Sequence, residues 1–484
     1  MERNRSLVKN MGWQTIYQII ATCMPLITAP YLSRILGAEK IGVFSYTYSL
    51  ALFFRMFGLL GNENYGTREI AKVRNNVSER TKLFKEILFV QTIATILSLI
   101  AYFLYCLLFE ANDAINYIQS IWIIDCFFNI SWFYSGIEDF KYKSLRGIAI
   151  KVFQLVTIIA FVKNVDHVGR YAFIMAFSAV LSNLILWFGI GKKINVKTRI
   201  YVRDVKKHVK PILLLFIPVA AASVFQLMDK LMLGKMSTSV QSGYYYNSDH
   251  LVNIPILVIT GLCTVMLSRM SYVGKDEKKF SFLFDTYSEI IMIVAIAMAS
   301  GIGAIAREFV PFFFGSEFSP CVELVYIFVF IMIIKSLSNI LMSMYLIPKG
   351  KDKTYILAVV IGAVFNAVFN TLFIAFLRMG ALGATLGTLI AELTVMTVEL
   401  ILIRSEVKTW TIISKVLPYM VIGGTMFIIV RLSVNILKSI NTPVIVTILA
   451  EIIIGAISYS VIAILFLLAT KRFSRIKNGL LGGH

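Results

Sequence analysis

The residues best able to do chemistry in this chain are charged or amide side chains inside apolar stretches. Arg34, Arg55, Asp125, Asp229, Lys230, Lys335, Asn366, Asn370, Glu392 and Arg431 all fall within segments long enough to cross a bilayer. A charge at the bilayer centre costs at least about 2.5 kcal/mol, so it faces a cavity or a partner. By position along their segments, Asp125, Lys335 and Glu392 lie near mid-depth, and Arg55 lies toward the inner end. The set favours cations, and a basic cavity suits an anionic ligand such as phosphate or pyrophosphate, whose oxygens accept charge-assisted bonds. Arg55, Lys335, Arg34 and Lys230 are therefore the candidate binding cations. Asp125, Asp229, Asn366, Asn370 and Glu392 are candidates for coupling or for lining the cavity.

Each has a structural alternative. Arg34, Lys235 and Arg307 are near enough to segment ends to snorkel, and so is Lys151. Asp229 and Lys230 suit a pair between helices. Asn366 and Asn370 share one helix face, where contact between helices competes with cavity lining. Asp125 and Lys335 are too deep to snorkel, which leaves function or a buried ion pair. Pro25, Pro30, Pro218 and Pro255 mark kinks or breaks.

The elements that position these groups follow from hydropathy. The chain has 484 residues, 58% hydrophobic and 15% charged, unlike a soluble domain. About 20 apolar residues span a bilayer, and fourteen such stretches occur: 10–36, 41–61, 86–109, 115–136, 147–163, 170–190, 211–236, 248–272, 284–306, 322–347, 355–376, 382–403, 416–436 and 442–469. The first reads as an uncleaved span. With the amino terminus inside, roughly 33 of the 47 Lys and Arg fall on inside loops and roughly 4 on outside loops, which orients both termini to the cytoplasm. The net charge of +20 is thus a signature of topology, and no nucleic-acid partner is implied.

The long basic linker 191–210 divides the chain into 1–190 (spans one to six), 211–403 (spans seven to twelve) and 404–484 (two added spans and a tail). Leu36-Gly37 followed by Ile41-Gly42-Val43-Phe44 is echoed by Leu233-Gly234 followed by Ser242-Gly243-Tyr244-Tyr245. This points to a parallel repeat, an architecture in which the substrate site lies between the halves. Enzymatic motifs are missing: no nucleotide loop, no HExxH and no acidic cluster on a soluble loop. The five cysteines are scattered without CxxC, so neither a disulfide framework nor a metal site is expected. No cofactor is implied.

Four ordered motifs carry a family resemblance: Leu32-Ser33-Arg34-Ile35-Leu36-Gly37, the stretch Asn129–Lys141 with Trp132, Gly136, Glu138 and Lys141, Met228-Asp229-Lys230-Leu231-Met232-Leu233-Gly234, and Tyr345-Leu346-Ile347-Pro348-Lys349-Gly350-Lys351. Together, from about residue 7 to about 400, they resemble the Wzx-type polysaccharide exporters. The resemblance implies the all-helical multidrug/oligosaccharidyl-lipid/polysaccharide exporter fold, with two six-helix lobes around a central cavity and two extra carboxyl-terminal helices. It also implies an undecaprenyl-diphosphate-linked oligosaccharide as substrate, moved between leaflets of the bacterial cytoplasmic membrane by alternating access. Membrane lipids, a polysaccharide polymerase and glycosyltransferases are the partners it suggests. Trp132, Tyr134, Gln14, Gln18 and Asn366 are then candidate sugar contacts.

Two departures stand out. Ser268 replaces an expected Pro, and the segment before Tyr345 lacks a Gln. A peptidoglycan-precursor flippase, a cation-coupled multidrug exporter and a membrane scaffold for assembly enzymes are the competing readings. A drug-binding cavity for cations would favour acidic residues instead.

Overall fold

The structure, a computed structural model, describes residues 2–110, 113–195, 202–274, 276–406, 409–439 and 442–480. The side chains of 2–11, 14, 15, 202, 409–413, 415 and 477–480 also fall outside the description. Gln14 is among them, and residues 196–201 of the linker and 481–484 of the carboxyl-terminal tail also lie outside the description. The described residues are helical and contain no strand, as expected where lipid cannot satisfy open backbone groups.

Two compact units divide the chain between Lys235 and Met236. The first holds α1 (Glu2–Leu59), α2 (Asn62–Lys72), α3 (Val77–Phe109), α4 (Ala114–Gln119), α5 (Ile121–Phe128), α6 (Ser131–Gly136), α7 (Phe140–Phe161), α8 (Val168–Phe188) and α9 (Val202–Met236). In the second are α10 (Ser239–Val273), α11 (Glu277–Phe314), α12 (Cys321–Leu341), α13 (Asp352–Asn370), α14 (Gly380–Ile403), α15 (Thr409–Ser439), α16 (Val444–Ala469) and α17 (Arg472–Leu480). The helix after the basic linker, α9, therefore groups with the first unit.

Twelve described helices are long and apolar enough to cross a membrane. Two departures from regularity reconcile them with fourteen expected spans. Helix α1 contains the first two, separated at Gly37, whose φ of 71° and ψ of 173° leave the helical region. That conformation is readily available only to glycine. Helical structure continues through Pro25, Pro30, Pro218 and Pro255, so the break in α1 falls at the glycine and not at a proline.

The fourth expected span, 115–136, is not one helix but three: α4, α5 and α6. Its interruption at Asn129, which adopts extended backbone, has a visible cause. Gln91 Nε2 on α3 donates to the carbonyls of Cys126 (2.5 Å) and Asn129 (2.9 Å), satisfying groups that a continuous helix would have paired internally. Asn129 Oδ1 then accepts from Ser131 N (3.1 Å) and Ser131 Oγ (2.7 Å).

In the second unit, α12 and α13 each run into a π-helical turn, Met342–Leu346 and Thr371–Phe376. Such turns frequently occur at functional sites. Helix α10 runs through Ser268 without interruption.

Candidate functional site: intramembrane charge clusters

In the first unit, α1 places Arg55 opposite Asp125 of α5. Arg55 Nη2 donates to Asp125 Oδ2 at 2.8 Å, while Asn183 Nδ2 of α8 donates to Asp125 Oδ1 at 2.6 Å. Asp125 is fully buried, and the Arg55 side chain keeps 24% of its exposure. The guanidinium also lies over the Trp122 ring, 5.9 Å from its centroid. A buried carboxylate is tolerated only when paired and hydrogen-bonded, and here both oxygens have donors.

Beside this cluster lies a cavity of about 380 Å³. Its walls combine Arg55, Glu63, Asn64, Ser223 and Gln226 with leucines, Met56 and Val219. The arrangement puts one fixed guanidinium, the carboxylate of Glu63 and several neutral hydrogen-bonding groups around a space large enough for part of a polar ligand.

The other predicted residues of this unit are placed differently. Arg34 is exposed, one turn before the break at Gly37. On α9, Asp229 is buried and Lys230 half-buried, and both have polar partners. Lys235 is an anchor at the end of α9: its Nζ meets Glu110 Oε1 at 2.6 Å and the Phe109 carbonyl at 3.1 Å. Gln18 is exposed.

The motif 129–141 is a packing device. Trp132 is buried against Phe84 and donates through Nε1 to Gln91 Oε1 at 3.2 Å. Tyr134, also buried, donates to the Leu186 carbonyl at 2.6 Å. A methyl group on Gly136 would come within 2.7 Å of Ile70. Glu138 takes a positive φ of 61° and pairs with Arg74 at 2.5 Å, and Asp139 caps α7 by accepting from Tyr142 N. Lys141 is exposed. Trp132 and Tyr134 therefore pack the core of this unit and present no face to a sugar in this conformation.

In the second unit, Lys335 on α12 faces Glu392 on α14, with Nζ 3.6 Å from Oε1. Two turns along α14, buried Glu399 accepts from Ser338 Oγ of α12 at 2.8 Å. Asn370 Nδ2 donates to Asn366 Oδ1 at 3.3 Å, and both amides are fully buried. A methyl on Gly387 of α14 would stand 2.0 Å from Asn370 Oδ1, so that glycine is what admits the amide. Arg431 is paired with Glu308 at 2.6 Å and Glu451 at 3.6 Å.

Three sequence-predicted sets are thus brought together: Arg55 with Asp125, Lys335 with Glu392, and Asn366 with Asn370. Residues not predicted complete them, namely Asn183, Gln91, Glu399 and the cavity-lining Gln226. So does a buried link in the first unit, where His208 of α9 lies between Tyr65 (2.6 Å) and Glu86 (2.7 Å). Of these, only the paired depth of Gln91 and Asn183 on apolar helices marks them in the sequence. No group of His, Cys, Asp and Glu suited to a metal occurs among the described residues.

An all-helical unit pair with charges paired at membrane depth defines a polytopic membrane protein, and comparison with known proteins makes this specific. The chain belongs to the polysaccharide biosynthesis protein family, which it matches over residues 7–273, more than half its length. It is similar to a putative O-antigen transporter of Escherichia coli strain K12, at 22% identity over 253 residues covering 50% of this chain and 59% of that relative. The match thus spans under two thirds of the relative's length.

Among solved structures, it superposes on the lipid II flippase MurJ in an inward closed conformation, with a TM-score of 0.74 and 14% identity, covering 96% of this chain and 99% of that one. An inward-facing multidrug resistance MATE family transporter of the MOP superfamily gives a TM-score of 0.62 at 13% identity, covering 81% of this chain and 95% of that one. The fold is that of this superfamily.

Proposed function

We propose that this protein is a flippase for a lipid-linked oligosaccharide. It carries an undecaprenyl-diphosphate-linked repeat unit from the inner to the outer leaflet of a bacterial cytoplasmic membrane, with both termini in the cytoplasm. The observation that carries this reading is the Arg55 guanidinium, fixed at the wall of a cavity it shares with Asn64, Ser223, Gln226 and Glu63, in a chain of the polysaccharide biosynthesis family. A polyprenyl tail stays in lipid, while the diphosphate and sugars need a polar path. Arg55 and Lys335, with Arg34 and Lys230, serve the diphosphate, and neutral side chains such as Gln226, Ser223 and Asn64 serve sugar hydroxyls. The sequence repeats act as alternating lobes, and the cycle uses no nucleotide hydrolysis of its own. The product is handed to the enzymes that polymerise the glycan.

Leaflet-resolved labelling of the glycan in a deletion strain, with the gene restored as control, tests this. Deletion should leave repeat units assembled inside and missing outside. Arg55→Ala should impair export more than Arg55→Lys, which keeps the charge but loses the two-pronged fork. Lys335→Ala should impair export at near-normal protein level. Normal export in the deletion strain, with no second flippase present, would replace this reading with that of a scaffold.

A further inference from the structure

Helices α7 and α8 leave a groove of about 520 Å³ between them on the surface of the first unit, separate from the cavity beside Arg55. Phe153 and Phe161 of α7 and Phe173 and Phe177 of α8 wall it, and all four rings are exposed. Phe173 and Phe177 stack with centroids 5.4 Å apart and planes 9° from parallel, which makes that wall flat. Gly169 keeps the groove open beside α4: a methyl group there would reach only Ile118 Cδ1, at 3.6 Å.

Polar groups are few. The Thr157 hydroxyl is taken by its own helix, donating to the Phe153 carbonyl at 2.8 Å. Among the described residues, Arg170 in the first turn of α8 is the one charge in the wall. It is exposed, and no described residue bonds or pairs with it. The turn leading into α8 adds exposed Lys163 and Asp166, so this rim carries a net positive charge.

The dimensions set the guanidinium at one end. Helix α7 ends at Phe161 and α8 begins at Val168, so Arg170 lies near the membrane surface. Phe161 to Phe153 spans about 12 Å of helix, and Arg170 to Phe177 about 10 Å. One leaflet contributes about 15 Å of hydrocarbon. The groove thus matches an acyl chain of a single leaflet, with a cation at headgroup level.

Apolar walls offer water nothing to bond, and an empty groove would forfeit dispersion contacts. In a bilayer a lipid chain fills it, and a polyprenyl chain would leave most of its length outside. Arg170 then selects the headgroup. A guanidinium pairs with phosphate oxygens, and it gains most where no second charge cancels the phosphate.

We propose that this groove is a binding site for an anionic phospholipid, with one acyl chain among the phenyl rings and the headgroup phosphate on Arg170. The site goes beyond the flippase reading and stands without it.

Native mass spectrometry of the full-length protein in detergent, with phosphatidylglycerol or phosphatidylcholine of identical chains added, reads the affinity of the first lipid bound. Wild type should take phosphatidylglycerol about fivefold more tightly, the scale of one cation at a charged membrane surface. Arg170→Gln should remove most of that preference, and Arg170→Lys should keep it, which separates loss of charge from loss of fold. Lys353→Gln, at an exposed cation of the second unit, should leave the preference unchanged, which separates this site from the general attraction of a basic protein. Gly169→Leu fills the groove without altering charge. It should weaken both lipids at least about fivefold, the equivalent of one or two buried methylenes.

An unchanged preference in Arg170→Gln, an equal loss in Lys353→Gln, or unaltered binding in Gly169→Leu would overturn the site. So would a prenyl phosphate that binds wild type more tightly than phosphatidylglycerol does and loses that binding in Gly169→Leu, because the groove would then hold a prenyl chain.

Discussion

The two units handle charge at membrane depth with opposite signs. In the first, the buried carboxylates Asp125, Glu86 and Asp229 are fewer than the cations around them, and Arg146 and Lys151 are left with neutral partners only. In the second, five glutamates are buried: Glu289, Glu308, Glu392, Glu399 and Glu451. Three of these lie where the last helices join α11. Glu289 accepts from Tyr419 of α15 at 2.7 Å and from Arg472 of α17 at 3.0 Å, and it also pairs with Arg475. Glu308 accepts from Arg431 at 2.6 Å and Lys438 at 2.8 Å, both on α15.

The two α11 carboxylates are 19 residues apart, about 28 Å of helix, so the appended helices are fastened at two widely separated levels. Acids in the second unit are chiefly structural clasps. In the first, Arg80, Arg146 and Lys151 donate only to neutral groups among the described residues. The basic excess along the chain is uneven: of the net +20, +14 falls in residues 1–235 and +6 in residues 236–484.

The largest effect expected from this contrast is at Asp125. Asp125→Ala strands Arg55 inside the helices and should cost about 3–5 kcal/mol, the usual penalty for leaving a buried charge unpaired. Heat tolerance of the detergent-solubilised protein should fall by many degrees, and export should be lost. Glu308→Ala in the second unit should cost less, because Lys438 is 55% exposed and water takes over its solvation. Folded Glu308→Ala protein should retain export. Equal thermal losses, or loss of export only in Glu308→Ala, would reverse the roles assigned to the two units.

A smaller effect is expected at Gln91. Gln91→Leu leaves the carbonyl of Asn129 and the indole of Trp132 without their partner, while the Cys126 carbonyl still accepts from Asn129 N at 3.3 Å. One or two stranded buried groups cost about 1–3 kcal/mol each. The counterpart in the second unit, Ser338→Ala, removes a single bond to Glu399 and should cost about 1 kcal/mol. Thermal unfolding of the two variants side by side measures the ratio, and an equal shift would show that the break between α5 and α6 does not depend on Gln91.

How much of this was legible in the sequence differs between fold and site. Apolar length and loop charge give the helical membrane class, because lipid thickness dictates both. The break at Gly37 and the interrupted stretch 115–136 are harder to see, since hydropathy does not register which backbone carbonyls are captured by a distant amide such as Gln91. Depth along a span correctly singled out Arg55, Asp125, Lys335 and Glu392 as groups needing partners, yet it cannot tell which face of a helix they occupy or who answers them. Thus Arg55 and Asp125 are each other's partner, and Lys151, readable from sequence as a snorkelling residue, is half-buried and tied to Gln154. The Trp132 motif shows a further limit. A distinctive run of aromatics marks a family, but here its residues are fixed by packing, with Gly136 against Ile70 and Asp139 at a helix cap.

The smallest predicted effect lies outside the membrane-spanning segments, in the turn after α14, and it sharpens the contrast by its weakness. Glu406 accepts hydrogen bonds from Lys351 and, at 2.8 Å, from Tyr345 Oη. The Lys351 contact, followed by that of Tyr345, holds its carboxyl below the ordinary glutamate value. A carboxyl with a lowered value in the folded state contributes stability that is present above its unfolded value and is lost as pH falls through the lowered one. Glu406 keeps 41% of its side-chain exposure, so solvent screening confines that contribution to at most about 1 kcal/mol. Glu406→Gln should therefore lower heat tolerance slightly at pH 7, and the gap from wild type should close as pH falls below the ordinary glutamate value of about 4.3. It should also narrow in high salt, because exposed pairs are screened over a Debye length of about 3 Å at 1 M. Comparing melting of the two proteins across pH and salt checks both signs. A gap that widened toward acid, or rivalled that of Asp125→Ala, would mean that this exposed clasp carries weight the buried ones were assigned.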